Sequence, residues 1–97
     1  MPRLIITEGA TKGLERCRKF LFKANPQAAV RAGQAIKNQL SSLEKEPQAG
    51  KPLNEHPEIR ELIIPFGESG YVALYHFDNK ENAVFILAFR HQKEAGY

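Results

Sequence analysis

The chain has 97 residues, 42% hydrophobic and 26% charged, with a net charge of +3 and one cysteine. This length suits one domain spanning 1–97 and is too short for two independent cores, and the composition excludes a disordered tail or a fibre. Cys17, alone, excludes an internal disulfide and a multi-cysteine zinc site and reads as a small buried hydrophobe. No apolar run of about 18 residues exists and the start passes straight into charge, so neither a membrane span nor a secretory signal is read, and the expected location is the cytoplasm.

Residues 3–7 form a short apolar run around Leu4, Ile5 and Ile6, which predicts a strand. From 8 to about 23 the spacing becomes helical, with Ala10, Leu14, Cys17 and Leu21 on one stripe, widened by Phe20 and Phe22. Asn25-Pro26 breaks the pattern, because Asn caps a helix and Pro suits its first position. A second helix is predicted from there to about Glu46, with Ala29, Ala32, Gly33, Ile36, Leu40 and Leu43 inward, so the two helices form a hairpin. Pro47 stops it, and 48–57, with Gly50, Pro52 and Pro57, reads as an irregular loop.

Three β-rich runs follow at 58–66, 69–78 and 83–91, joined by turn-rich segments of hairpin length, which predicts an antiparallel meander. Pro65 suits an edge strand because it donates no ladder hydrogen bond. The fold class is therefore α+β in the order β-α-α-β-β-β, a helical hairpin packed on a small four-stranded, mostly antiparallel sheet. Two helices cover one face of such a sheet, yet Ile59, Ile63, Val72 and Leu74 put apolar groups on the other. That face is either a partner surface or is covered by curling of the sheet and by the loop.

Charge is divided unevenly. Residues 1–37 hold eight Lys/Arg against Glu8 and Glu15, whereas the remaining sixty hold six against nine acids. The basic half fits an acidic protein or nucleic acid, or is simply a solvated helix face. At the other end, Arg90-His91 closes the last strand and Tyr97 follows six residues later. His moves protons near neutral pH and Arg holds phosphate, the chemistry of RNA cleavage, with Arg60 as a further cation. The alternative is that Arg90 meets a surface carboxylate, His91 ends a strand in solvent and Tyr97 packs on the sheet. No Gly-rich phosphate loop or Gly-x-Ser-x-Gly elbow occurs, and His56, His76 and His91 lack metal-binding spacing, so neither cofactor nor metal is expected.

Over essentially its whole length the chain resembles the RelE/ParE superfamily of toxins. The resemblance is carried by the element order, by Ile59-Arg60-Glu61-Leu62-Ile63-Ile64-Pro65-Phe66, by Ser69-Gly70-Tyr71-Val72-Ala73-Leu74-Tyr75, and by the ending Arg90-His91-Gln92-Lys93-Glu94-Ala95-Gly96-Tyr97. The Arg-His-x-x-Glu ending looks closest to the ParE side. The resemblance implies a bacterial growth-arresting toxin neutralised by a cognate antitoxin, for which Arg16, Phe20, Lys23, Arg60 and Tyr71 are the contact candidates. ParE-like members inhibit DNA gyrase by binding, which would make Arg90, His91 and Tyr97 target contacts and the chain no enzyme. RelE-like members cut messenger RNA on the translating ribosome, which would make Arg60, His91 and Tyr97 catalytic, with Lys45 or Lys51 assisting. Residues 44–61 hold five glutamates against three basic residues, a poor surface for an RNA backbone, and this favours the ParE side. A member that has lost toxicity and only binds antitoxin remains a third possibility.

Overall fold

Thr7 sets the first junction. In the computed structural model, which describes residues 1–94, it separates strand β1 (Arg3–Ile6) from helix α1 (Glu8–Ala24). Its hydroxyl accepts from the Ala10 N–H at 3.4 Å, capping the helix, and donates to the Ile86 carbonyl at 2.6 Å, tying the cap to the last strand. Asn25 serves two helices at once: its N–H closes α1 on the Leu21 carbonyl at 2.7 Å. Its side chain accepts from the Ala28 N–H at 3.1 Å to start α2 (Pro26–Ser42). The hairpin turn is therefore one residue long, as the Asn-Pro pair predicts.

Helix α2 ends at Ser42, four residues earlier than its periodicity suggests. Leu43 is fully buried, and its N–H bonds back to the Leu40 carbonyl at 3.1 Å, a tighter turn that breaks the α-helical ladder before Pro47 is reached. The segment read as an irregular loop contains a two-residue strand, β2 (Lys51–Pro52). β3 (Arg60–Phe66) starts two residues later than expected, after a turn in which the Ile59 N–H bonds the His56 carbonyl. β4 (Ser69–Asp78) and β5 (Ala83–His91) complete the meander.

The sheet has five strands in the order β1-β5-β4-β3-β2. β1 runs parallel to β5 and every other pair is antiparallel. β2 covers only Arg60 and Glu61, so the stretch of β3 containing Pro65 has no outer neighbour, as a residue without an N–H requires. Register places Leu62, Ile64, Tyr71, Ala73, Tyr75, Val84, Ile86 and Phe89 under the helices, where they join Ala10, Cys17, Ala32 and Leu40 in the core. Two glycines let α1 approach β5 closely: a Cβ on Gly9 would lie 2.9 Å from the Leu87 carbonyl oxygen, and one on Gly13 only 2.1 Å from that of Phe89. The other face of the sheet carries Val72, which is buried, and Ile63, which is half exposed. Among the described residues no helix is long and apolar enough to cross a membrane.

Candidate functional site

Where α1 passes over the end of β5, helix and sheet diverge and leave a cavity of about 650 Å³, a size typical of ligand and anchor sites. Phe20, Phe66 and Tyr71 supply its aromatic walls, and Arg16, Ser69, His91 and Glu94 its polar ones. Phe20 is 78% exposed at the mouth. Tyr71 is buried at the base, stacked on Phe89 at 5.3 Å between ring centroids and met edge-on by His91 at 5.4 Å.

The polar side is closely bonded. Glu94 accepts from the Arg16 guanidinium at 2.9 and 3.1 Å, from the Cys17 thiol at 3.5 Å and from the His91 backbone N–H at 3.1 Å. Burial acts to raise the Glu94 carboxyl, but the His91 N–H and Arg16 outweigh it and hold the group below the usual carboxylate range. The Cys17 thiol is pushed up to about 11, first by burial and then by the Glu94 carboxylate. His91 Nδ1 accepts from the Lys93 N–H at 3.1 Å, which assigns the proton of the neutral ring to Nε2, 3.1 Å from the Ser69 hydroxyl.

A second, more apolar groove of about 450 Å³ runs between the two helices and β1. Leu4, Leu14, Leu21 and Ile36 line it, with Arg18 and Lys37 at its rim. It shares Cys17, Leu21 and Tyr71 with the first cavity, so the two adjoin.

Of the residues singled out from sequence, Arg16, Phe20, Tyr71 and His91 come together at this cavity. Lys23 lies outside it, in the last turn of α1, beside Arg18, Lys19 and Phe22. Arg60 is remote: it faces Tyr75 in the register whereas His91 faces Tyr71, four residues away along β4. At about 3.3 Å per residue that is roughly 13 Å along the strand direction alone. Arg60 instead donates to the carbonyls of Gln48 at 3.2 Å and Gly50 at 2.7 Å. Lys51 sits at this same end of the sheet, paired with Glu61.

Arg90 and His91 do not act as one group, because neighbours in a strand face opposite sides. The Arg90 guanidinium turns to the carbonyls of His91, Gln92 and Glu94, at 3.1, 3.1 and 2.9 Å, bracing the turn that follows β5. Tyr97 lies outside the described residues. Sequence reading missed Glu94 and Ser69. The available signal for Glu94 was its place three residues after His91, the spacing at which a side chain returns to a backbone N–H.

The comparisons accord with this architecture. The model of the ParE toxin of type II toxin-antitoxin systems, parDE, matches residues 4–96. Toxin RelE1 of Caulobacter vibrioides is 33% identical over 72 residues, 74% of this chain and 75% of that protein. Toxin RelE3 of the same organism is 32% identical over 85 residues, 88% of each. Among solved structures, the chromosomal ParDE toxin-antitoxin system from P. aeruginosa superposes with a TM-score of 0.74 at 22% identity, covering 94% of this chain and 96% of that one. The intact E. coli RelBE toxin-antitoxin complex gives 0.66 at 16% identity, covering 97% and 100%. These two establish the shared fold. With the family model spanning nearly all of it, the chain belongs to the ParE toxin family of type II toxin-antitoxin systems, within the RelE/ParE superfamily.

Proposed function

We propose that this toxin arrests bacterial growth by binding and inhibiting DNA gyrase, without chemistry of its own, and is neutralised by direct binding of a cognate antitoxin. The observation that carries the non-catalytic reading is the separation of the groups a ribonuclease would need. Arg60 is spent on the carbonyls of Gln48 and Gly50 at one end of the sheet, while His91 is held by Ser69 and Lys93 at the other. General acid–base chemistry needs its groups within hydrogen-bond reach of one substrate, and Arg60 and His91, at opposite ends of β4, are not so placed. The acidic excess of 44–61 also opposes an RNA backbone.

An antitoxin segment has a suitable seat. An amphipathic helix laid along the groove between the helices and β1 would bury apolar side chains over Leu14, Leu21 and Ile36 and set acidic ones against Arg18 and Lys37. Phe20, Arg16 and Tyr71 are contacts on that path, and Lys23 adds charge at its edge. Arg60 is reached only by a partner that also crosses the sheet. His91 and the turn after it, with Tyr97, are the proposed target contacts, and Arg90 contributes by bracing that turn.

The second reading, a ribosome-dependent messenger RNA endoribonuclease, is favoured by one specific observation: both Caulobacter relatives above 30% identity carry RelE names. Two assays on the purified toxin separate the readings. Gyrase inhibition predicts loss of supercoiling activity and intact ribosome-bound messages. Codon-dependent cleavage of those messages, abolished by His91→Ala, with normal supercoiling would overturn the proposal in favour of the enzyme.

A further inference from the structure

One link between the two ends of the fold lies outside the sheet. Arg16 and Glu94 are 78 residues apart, and both the Nε and Nη2 atoms of Arg16 meet one carboxylate oxygen of Glu94, while the other oxygen takes the Cys17 thiol and the His91 N–H. The same short turn is gripped from the opposite side of the sheet by the Arg90 guanidinium, through three of its carbonyls. Within it, the Lys93 N–H fixes His91 Nδ1, and the Gln92 N–H bonds the Gly70 carbonyl at 2.9 Å. A turn held from two sides has one geometry, so the ring it carries has one orientation. Such a bridge is also only partly covered, with the Arg16 and Glu94 side chains 54% and 35% exposed, so solvent and partners reach it.

We infer that Glu94 is a positioning residue: its carboxylate latches the turn of residues 91–94 onto α1 and thereby fixes the His91 ring, Nε2 toward Ser69, as the polar wall of the cavity. Its relevance to activity rests on the proposed role of His91 as a target contact. The latch itself stands apart from that role. Removing the carboxylate leaves the Arg16 guanidinium only its 3.4 Å bond to the Phe89 carbonyl and takes the acceptor from the Cys17 thiol, while β5 up to Phe89 stays paired to β4 through its own ladder.

The test uses the full-length toxin and three variants, Glu94→Ala, Glu94→Gln and Arg16→Met, with global stability measured in urea. Two readouts respond to the latch and not to stability alone. The first is alkylation of Cys17 by iodoacetamide under native conditions. Removing the neighbouring carboxylate raises the rate several-fold in Glu94→Ala beyond the increase that its change in urea stability accounts for. Glu94→Gln, which keeps an acceptor for the His91 N–H, falls between. The second is the nitrogen chemical shifts of the His91 ring, which report the tautomer. They show the Nε2–H form in the wild type and averaging toward both tautomers in Glu94→Ala and Arg16→Met. Unchanged ring shifts and an unchanged alkylation rate in Glu94→Ala overturn the latch. If the shifts and rate change as expected but inhibition of gyrase does not, the latch stands and the assignment of His91 to the target surface fails.

Discussion

Gly13→Ala is the sharpest test of how α1 sits on the sheet. The new methyl group would lie 2.1 Å from the carbonyl oxygen of Phe89 and 3.0 Å from its carbon, where ordinary contact begins near 3.4 Å. The obstacle is backbone in a paired strand, so no side chain can swing aside, and α1 must lift by roughly 1 Å. Overpacking of this kind costs about 1–3 kcal/mol and occasionally more. The substitution also returns about 1 kcal/mol of helix propensity, because glycine is a poor helix residue. With a rigid obstacle the first effect prevails, and the expected net loss is about 1–2 kcal/mol, or about 5–12 °C in Tm for a chain of this length. Gly33 supplies the control. It lies in the middle of α2, and a Cβ there meets nothing within 4 Å, so Gly33→Ala should gain the propensity alone, about 0.5–1 kcal/mol. Thermal and urea unfolding followed by circular dichroism gives both values. A Gly13→Ala protein as stable as the wild type, beside a Gly33→Ala protein that behaves as expected, would refute the close helix–strand contact.

Two further outcomes follow from buried polar groups. The Tyr75 hydroxyl, at the centre of the core, accepts from the Gly50 N–H at 2.7 Å, so Tyr75→Phe strands a buried donor. The urea midpoint should fall by the equivalent of about 1–3 kcal/mol, with amide exchange accelerating at Gly50 and β2 before the rest of the sheet. Alkaline stability should depend on Cys17. Burial, then Glu94, raises its thiol from 9.0 to about 11, so the folded state favours the protonated form. That contribution is complete below pH 9 and is lost as pH rises through about 11, a fall of at most about 3 kcal/mol. Tyr71 and Tyr75, both raised by burial, add to it only above pH 10. Cys17→Ala should therefore flatten the stability curve from pH 9 upward, and an unaltered curve would contradict the burial of the thiol.

Period-based reading recovered what depends on one face of one element. Ala10 and Cys17 at helical spacing, and Tyr71, Ala73 and Tyr75 at strand spacing, all lie in the core. Asn25-Pro26 carried its own capping chemistry and marked the hairpin to the residue. Contacts between distant segments left no such trace. Gly9 and Gly13 read only as weak helix residues, although they set the distance between α1 and β5. Arg16 and Glu94 carry no mark of each other across 78 positions. The end of α2 was misplaced because the burial of Leu43, which tightens the chain, is a tertiary event that precedes the proline in sequence. For the site, the C-terminal pattern drew attention to Arg90 and His91, yet the alternation of a strand already implied that they face apart.

The parallel pairing of β1 with β5 governs the order in which the molecule can assemble. Arg3 bonds opposite Ala83, the Thr7 cap needs the Ile86 carbonyl, and the inner face of α1 rests on Phe89. Everything made first therefore waits for what is made last. During synthesis, at about 5–20 residues per second, the helical hairpin exists for several seconds with its apolar stripe uncovered, and no fragment ending before β5 has a core to close. The cavity, whose walls come from α1, the β3–β4 turn and the end of β5, forms only with the finished sheet. The proposed toxicity is thereby confined to chains that have been made through the last strand.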